Sequence, residues 1–533
     1  MTLSPFSTAD HQADDRTDTL TDFEGLGQQS IVADPPILNL IRLLCQALAE
    51  EEITYCHWKS NNALDRSASG DNDLDLLISR VDAGRFTEIL YRLGFKQTRA
   101  PFDKQMTGVS DYYGYDVQAD KWVHVHAHYQ LIMGHDMTKN FHIPIEEPYL
   151  KSAVQDTLFK VPAVEFEFIV FILRMVLKHS TWDAIIGREG KLKSSERREL
   201  VYLQSRSDQN RVKEILKLYL PVIDTKLFGD CVKVLQPGCS TWTRVKTAQR
   251  LQIRLRANTQ YSLPIDTFLK FSRRTVLMFR RRIFKSSSKY RPEIGGMIIA
   301  IVGGDGAGKS TAIEALHAWL SKNFETTRVH MGKPAWSWTT IVIRSFLKIG
   351  QLLKLYPLET SFNETLDQKS PLSPGYPYLL REVCRARDRY HNYLKARRFA
   401  ANGGIVIFDR FPLQQIQLMD GAQCKRFISK LMEKPQGNQF MSPHHTSRLA
   451  RILVRLEESY YRQILLPDLL VVLRVAPEIA VQRKTDEDAD SVRERSTEIW
   501  EINWEHTGAH IVDASQSKTD VLTKLKTLIW SEL

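Results

Sequence analysis

The stretch MIIAIVGGDGAGKST occupies residues 297–311 and decides the fold of the C-terminal half. It begins with the apolar run MIIAIVG, which predicts a buried strand. Residues 303–311 then match the pattern G-x-x-x-x-G-K-[ST] at every fixed position, and TAIEALHAWLSKNF predicts a helix directly afterwards. A glycine-rich turn between a buried strand and a helix predicts a binding site for a chain of phosphates.

The residue types of this loop suit nucleotide phosphates. Glycines let the backbone turn its N–H groups inward, and the helix N-terminus adds positive potential. Lys309 is a candidate to neutralise the β- and γ-phosphates, and the Ser310 hydroxyl is a candidate Mg²⁺ ligand. These roles predict ATP as phosphoryl donor and Mg²⁺ as cofactor, whereas the alternative is a turn that binds nothing. The candidate loop residues are Gly303, Asp305, Gly306, Ala307, Gly308, Lys309, Ser310 and Thr311.

Further apolar runs extend this pattern. GGIVIFDRF (403–411) and LLVVLRV (469–475) predict buried strands with helices between and after them. Such strands predict a parallel sheet covered by helices on both faces. The predicted fold class is therefore α/β, in a chain that is too long for one domain.

Several of these segments resemble thymidylate kinases, in the motif order of that family, over about residues 296–533. The phosphate loop resembles that of the family because it carries Asp305, since aspartate at this place is unusual among other P-loop proteins. Residues 405–411 resemble the family's strand ending in Asp-Arg-Tyr. The resemblance implies that Asp409 holds Mg²⁺, usually through water, or orients the acceptor. It implies that Arg410 and Arg389 bind an acceptor phosphate, with Arg387 as the alternative to Arg389. The alternative for Asp409 and Arg410 is an ion pair at the end of the strand.

A basic stretch, RKTDEDADSVRER (483–495), resembles the family's lid. The resemblance implies that Arg483 and Arg493, with Lys484 and Arg495, close over the phosphates. The alternative is a solvated helix face.

Departures from the family bear on the acceptor. Residues 329–336 lack the family's Arg-Glu pair, and residues 412–415 lack its Ser and Tyr-Gln pattern. An insert rich in aromatic and basic residues lies between these two segments, at about 336–378. The first hypothesis is a kinase of a nucleoside monophosphate, and the alternatives are a kinase of a sugar or glycan precursor and an NTP-binding regulator without turnover.

The N-terminal half carries a different candidate site. In GDNDLDLLI (70–78), Asp73 and Asp75 share one face of a predicted strand, where two carboxylates can hold a divalent metal. With the preceding Trp-Lys-Ser-Asn (58–61), this segment resembles the nucleotidyltransferase fold. That family adds a third carboxylate on a neighbouring strand, but the candidate strand here carries His124, His126 and His128. Asp116 or Asp120 is the expected substitute, and the histidines are either metal ligands or a structural strand face.

The net charge of +11 is concentrated in one segment, since residues 241–292 hold fourteen basic residues and one acidic residue. Its last part predicts a basic amphipathic helix, which favours peripheral contact with an anionic membrane over nucleic acid; the alternative is a solvated helix.

The N-terminal residues show no signal-peptide pattern and the cysteines no metal-ligand spacing, so a cytoplasmic location is expected. The predicted division is a disordered segment at 1–35, a nucleotidyltransferase-like domain at 36–150, a helical region with the basic connector at 151–290 and a P-loop kinase domain at 291–533.

Overall fold

The computed structural model describes residues 37–102, 104–181, 184–185, 191–279, 282–283, 289–353, 376–416, 421–433 and 448–533. The segment expected to be disordered, 1–35, lies outside these residues. Arg280, Arg281 and residues 354–375 of the predicted insert lie outside them as well.

The N-terminal half is built on a mixed six-stranded sheet in the order β1-β2-β5-β4-β3-β10. Strands β2 and β5 are parallel, and the other neighbours in this sheet are antiparallel. Its strands and the short hairpins that follow are β1 (Tyr55–His57), β2 (Leu74–Ile78), β3 (Lys96–Arg99), β4 (Val109–Asp116), β5 (Lys121–His128), β6 (Ile132–Met133), β7 (Phe141–His142), β8 (Val154–Gln155), β9 (Lys160–Val161) and β10 (Arg291–Pro292).

Helices cover this sheet because their apolar residues recur on one side. Leu40, Ile41, Leu44 and Leu48 of the first helix are all buried against the sheet core. Gly94 ends the third helix region with φ +81°, a left-handed conformation that glycine adopts without strain. The helices are α1 (Asn39–Glu50), α2 (Leu64–Ala68), α3 (Ala83–Arg92) and α4 (Glu146–Lys151).

A helical region follows the first sheet. Its central helix is apolar nearly all round and buried, as expected for a helix surrounded by others. The region comprises α5 (Val164–His179), α6 (Ser194–Arg206), α7 (Gln209–Tyr219), α8 (Thr225–Val234), α9 (Thr241–Arg254) and α10 (Leu263–Phe279).

The C-terminal half contains a five-stranded sheet in the order β12-β13-β11-β14-β15, with every neighbouring pair parallel. The strands are β11 (Met297–Gly303), β12 (Thr326–His330), β13 (Ile405–Asp409), β14 (Leu469–Arg474) and β15 (His510–Asp513). The helices are α11 (Lys309–Ser321), α12 (Trp338–Leu352), α13 (Tyr376–Ala401), α14 (Cys424–Glu433), α15 (Arg448–Arg462), α16 (Pro477–Arg483), α17 (Ala489–Glu501) and α18 (Lys518–Glu532).

Strand β11 shows why this sheet is covered on both faces. Ile299 and Ile301 belong to a core formed with α11 and α18, whereas Ile298 and Ala300 belong to a second core formed with α13. Alternate residues of a strand point to opposite faces, so a strand that is apolar at every position needs a cover on each. The α/β fold class and the parallel sheet predicted from the sequence are confirmed.

The two halves share a packed boundary. Strand β10 lies in the part of the sequence assigned to the C-terminal domain, yet it pairs with β3 of the N-terminal sheet. Beside it, Trp122 of β5 stacks on Trp319 of α11 with ring centres 4.7 Å apart, and Tyr113 of β4 contacts Phe324 at 5.2 Å. Each such aromatic pair contributes about 0.5–1.5 kcal/mol beyond its buried area. The end of α11 that is far from its phosphate loop thus rests on the N-terminal sheet.

Among the described helices, none combines the length and the apolar character needed to cross a membrane.

Candidate functional site

The phosphate loop joins the end of β11 to the start of α11. Gly306 and Gly308 have φ of +73° and +81°, so both need the left-handed region that favours glycine. The Lys309 ammonium is buried and donates to the carbonyl oxygens of Gly303 and Gly304 at 2.9 and 2.7 Å. Ser310 and Thr311 are exposed at the helix N-terminus. The backbone therefore has the curvature of a phosphate cradle, with a cation held inside it.

Two helices after β14 pack directly on this loop. A Cβ on Gly304 would lie 2.9 Å from Cα of Ser496, and a Cβ on Gly306 would lie 2.7 Å from the carbonyl oxygen of Ala480. The Ser496 hydroxyl also donates to the Asp305 carbonyl at 3.2 Å. Side chains at these glycines would push α16 and α17 away, so the loop and the lid-like helices form one packed unit.

The three arginines of the lid-like stretch take different places in the structure. Arg483 donates to the carbonyl oxygens of Ala514 and Ser515 after β15, and Arg493 pairs with Asp490 on the surface. Arg495 reaches the phosphate loop, with Nη1 3.0 Å from Asp305. It also pairs with Glu487. Of the three arginines, Arg495 is therefore the one that contacts the loop, and nothing in the spacing of the stretch distinguishes it from Arg493.

Strand β13 brings a carboxylate to the side of the loop. Asp409 pairs in register with Ile301 of β11, two residues before the loop begins. Its Oδ1 is buried and makes no hydrogen bond within the described part of the chain, while Oδ2 lies 3.4 Å from His330. A buried carboxylate oxygen without a donor is costly unless a cation or water satisfies it. Asp409 thus presents this oxygen beside the phosphate loop.

Arg410 follows Asp409 with φ +56°, a conformation that costs a non-glycine residue about 1–3 kcal/mol and recurs at functional sites. Its guanidinium lies 3.9 Å from Asp305. A Cβ on Gly332 would lie 2.7 Å from Cδ of Arg410, so glycine there leaves room for the arginine side chain. The strained backbone directs Arg410 across the space between the loop and β12.

Helix α13 contributes the predicted acceptor arginines. Arg389 is buried, and it donates to the Met331 carbonyl at 2.8 Å and to the Tyr461 hydroxyl at 2.6 Å. Arg387 donates to the hydroxyls of Ser337 and Thr340 at 2.6 and 3.0 Å. Both arginines thereby hold the segment after β12 in place.

A pocket of about 250 Å³ opens beside these arginines. Its cations, Lys333, Arg344 and Arg385, were not singled out by the sequence, since they lie in a segment without a known motif. Burial, with Arg385 and Arg381 nearby, lowers the pKa of Arg344. Its guanidinium lies over the Trp336 ring at 4.2 Å. The full lining is Gly332, Lys333, Pro334, Trp336, Thr340, Arg344, Arg385 and Asp388.

A second set of chemical side chains meets in the N-terminal sheet, and we call it the His–Asp cluster: Asp73, Asp75, Asp111, His124, His126 and His128. It forms because β5 lies between β2 and β4, with His126 in register with Asp75 on one side and Asp111 on the other. Lys59 pairs with Asp75 at 2.7 Å. The predicted carboxylates and the three histidines are therefore brought together.

The cluster contains a third carboxylate that the sequence reasoning missed. Asp111 of β4 lies 3.1 Å from Nε2 of His124 and 2.9 Å from Nε2 of His126. The expected substitutes are elsewhere: Asp116 accepts from the Leu40 backbone at 2.9 Å, and Asp120 pairs with Lys526 at 2.7 Å. The expectation for Asp116 and Asp120 is wrong, because the antiparallel register of β4 places the start of that strand, and not its end, beside His126.

Burial and charge set the protonation of the cluster. Burial works to lower the pKa of His126, but hydrogen bonds to Asp111 and Asp75 outweigh it and raise that pKa to about 9. Burial dominates at His128 and lowers its pKa to about 4. Burial works to raise the pKa of Asp75, yet Lys59 and the two histidines hold it well below its usual range. The carboxylates are thus charged at neutral pH.

The chain matches none of the known protein-family models. It is similar to the uncharacterized ATP-binding protein YghR of Escherichia coli strain K12, with 25% identity over 229 residues that cover 42% of this chain and 83% of that protein. The YghR protein of Escherichia coli O6:H1 strain CFT073 shows the same identity and coverage. The nucleotidyltransferase resemblance of the N-terminal half stays a prediction.

Proposed function

We propose that the C-terminal half binds ATP and transfers its γ-phosphoryl group to a small-molecule acceptor. The observation that carries this proposal is the pairing of β11 with β13, which sets an unpartnered carboxylate oxygen of Asp409 beside a complete phosphate loop. Similarity to a protein named as ATP-binding supports ATP as the nucleotide.

When bound, ATP supplies the phosphoryl group and Mg²⁺ screens its charge. In this proposal Ser310 and Asp409 hold Mg²⁺. Ser310 is exposed at the helix N-terminus, and Oδ1 of Asp409 makes no hydrogen bond to any described residue. The Lys309 ammonium, which now donates to loop carbonyls, gains stronger charge-assisted bonds from phosphate oxygens. Arg495 and Arg410 flank Asp305 and add positive charge at the same loop.

We propose that the acceptor carries a negatively charged group. The pocket beside α13 presents Lys333, Arg344 and Arg385. Guanidinium groups bind phosphate in a bidentate manner. A nucleoside monophosphate and a phosphorylated sugar both satisfy this requirement. A neutral sugar offers no charge to Lys333 or Arg344, whereas Arg385 already pairs with Glu382 at 2.8 Å.

The test of the proposal is acceptor profiling with ATP labelled at the γ-position. The full chain is incubated with nucleoside monophosphates, sugar phosphates and neutral sugars, and label transfer is measured for the natural protein, Lys309→Ala and Lys395→Ala. Lys395 is an exposed lysine of α13 and serves as the matched control. We expect transfer to an anionic acceptor that Lys309→Ala lowers by about 100-fold or more and Lys395→Ala leaves unchanged. ATP binding without transfer to any acceptor would favour the regulator hypothesis.

We also propose that α10 contacts an anionic membrane surface. Its buried residues are a charged pair, Asp266 and Lys270 at 2.8 Å, whereas most of its apolar residues are exposed. Ile265, Phe268 and Phe279 are 50%, 70% and 54% exposed. An apolar face within a strongly basic segment fits a surface of anionic lipid headgroups.

Liposome flotation tests this contact. We expect recovery with anionic but not neutral vesicles, and its loss in Phe268→Glu. The matched control is Val201→Glu, which changes a 67% exposed residue of α6. Equal recovery of the natural protein and Phe268→Glu would refute the proposal.

A further inference from the structure

The His–Asp cluster has the dimensions of a metal site. Two sets of ligand atoms, from Asp73, His124 and His126 and from Asp75, His126 and His128, each lie within 4.8 Å of one another. Ligands bound at about 2.0–2.2 Å from one ion lie at most about 4.4 Å apart. Small side-chain movements therefore suffice to close either set around an ion.

Asp111 orients the His124 ring and lies beside the His126 ring. Its Oδ1 forms a hydrogen bond with Nε2 of His124 at 3.1 Å and an ion-pair contact with Nε2 of His126 at 2.9 Å. When His124 donates its Nε2–H to this carboxylate, the lone pair of that ring is on Nδ1. Nδ1 of His124 lies 2.9 Å from Asp73, and Nδ1 of His126 lies 3.5 Å from Asp75. A carboxylate behind a ligating histidine is the usual arrangement in metalloproteins, because it fixes the tautomer and the ring direction.

His128 is the observation that points to a ligand. Its side chain is 5% exposed, and neither ring nitrogen makes a hydrogen bond within the described part of the chain. The nearest carboxylate oxygen is Oδ1 of Asp75, 3.6 Å from its Nε2. The Trp58 ring packs against it at 5.0 Å and limits its rotation. A buried imidazole without a partner is costly, and a metal ion between His128 and Asp75 would satisfy it.

We propose that the His–Asp cluster binds one divalent transition-metal ion, of the class of Zn²⁺ and Co²⁺, through imidazole nitrogens as well as carboxylates. Imidazole favours these ions, whereas Mg²⁺ takes oxygen ligands. Both ligand sets share His126, so the cluster holds one ion and not two. In this arrangement Asp111 is a positioning residue, and Asp73, Asp75 and the histidines supply the ligands.

The surroundings leave a path for the ion. The side chain of Asp73 is 53% exposed, which opens one side of the cluster to solvent. The proton of His126, whose pKa is raised, must leave when an ion binds. Lys59 also opposes binding, because it pairs with Asp75 at 2.7 Å. Its side chain is 24% exposed, so it can turn toward solvent when a cation takes its place.

Metal-binding measurements on the chelator-stripped full chain test the proposal. We expect one Zn²⁺ per chain, retained against about a thousandfold excess of Mg²⁺, and a visible Co²⁺ absorption typical of nitrogen ligation. His126→Ala removes the ligand common to both sets and should weaken Zn²⁺ binding by about 100-fold. His506→Ala, at an exposed histidine of the C-terminal half, is the matched control and should leave binding unchanged.

Two further variants keep the test decisive if His126→Ala does not fold. Asp73→Asn changes an exposed ligand and should weaken Zn²⁺ binding by about tenfold or more. Asp111→Ala should shift the Co²⁺ spectrum and weaken binding, and Asp111→Asn, which keeps an acceptor oxygen, should restore part of both. Equal affinity for Zn²⁺ in the natural protein and Asp73→Asn, or displacement of Zn²⁺ by equimolar Mg²⁺, would overturn the proposal. These outcomes do not depend on phosphoryl transfer in the other half.

Discussion

The phosphate loop and the His–Asp cluster differ in how the chain builds them. The loop is a continuous segment, Gly303–Thr311, whose function depends mainly on backbone N–H groups and one lysine. The cluster consists of side chains from three strands, separated by up to 55 residues, and it exists only when β5 lies between β2 and β4. A site made of backbone is encoded locally, whereas a site made of side chains depends on strand register.

The largest expected effect is that a substitution in either site abolishes or weakens the function of that site alone. Lys309→Ala should lower phosphoryl transfer by about 100-fold or more and leave Zn²⁺ binding intact, because the lysine contacts the phosphate loop and not the His–Asp cluster. His126→Ala should weaken Zn²⁺ binding by about 100-fold and leave transfer intact. Labelled ATP and metal analysis on the same preparations measure both properties. Loss of both properties in either folded variant would show that the sites act as one, through the aromatic contacts between β4, β5 and α11.

A smaller effect concerns the acceptor pocket. Arg344→Gln removes a half-buried guanidinium that lines the pocket. Among the described residues, Arg344 makes no contact with the phosphate loop or with β13. We expect the KM for the anionic acceptor to rise by about tenfold or more, since each charge-assisted contact contributes about 1.5–3 kcal/mol. The KM for ATP should stay the same. Arg398→Gln, at an exposed arginine of α13, is the control, and an equal KM in all three proteins would contradict this pocket.

The lid-like helices offer a direct comparison between sequence and structure. Arg495→Ala removes the contact to Asp305, and Arg493→Ala removes only a surface pair with Asp490. We expect several-fold weaker ATP binding for Arg495→Ala. Exposed ion pairs contribute about 1 kcal/mol or less, so Arg493→Ala should change ATP binding by less than about fivefold. Titration with a fluorescent ATP analogue measures this, and a larger effect at Arg493 would return the lid role to that residue.

The smallest expected effect concerns Glu167, a residue of the helical region that contacts the loop beside the His–Asp cluster. Glu167 of α5 accepts from the Asn61 backbone at 3.3 Å and so helps to hold the loop that carries Lys59. Burial raises its pKa to about 7 from an ordinary 4.5. Because this pKa is raised, the contribution of Glu167 to folding stability is complete below about pH 4.5 and is lost as the pH rises through about 7. Glu167→Gln should therefore raise the melting temperature relative to the natural protein by a few degrees more at pH 8 than at pH 5.

Thermal unfolding followed by circular dichroism at the two pH values measures this difference. Glu88→Gln, at an exposed residue of α3, is the control and should show the same shift at both pH values. A pH-independent effect of Glu167→Gln would mean that Glu167 is charged in the folded protein.

Much of the C-terminal fold follows from the sequence, because its signals are local. The strands β11, β13 and β14 are continuously apolar, and the glycines and Lys309 of the loop stand at fixed spacing. The N-terminal strands around Asp75 and the histidines also follow from local patterns. The place of Asp111 in the cluster could not be predicted, because no motif in the neighbouring sequence marks it. Only the register of β4 against β5 sets it beside His126.

The pocket cations Arg344 and Arg385 were missed for a similar reason. They lie on α12 and α13, and neither helix carries a motif for them. The choice of Arg495 over Arg493 depends on the rotation of α17 about its axis, since residues two positions apart on a helix point in different directions.

The sequence by itself determines that this chain has a phosphate loop within a parallel α/β sheet and two carboxylates on a second, separate sheet. Those features depend on adjacent residues, whose spacing and backbone preferences are local properties. Only the tertiary structure decides two of the contacts: Arg495 lies on Asp305, and Asp111 lies beside His124 and His126. Pairing between distant strands and packing between helices set these distances, and no local pattern specifies them.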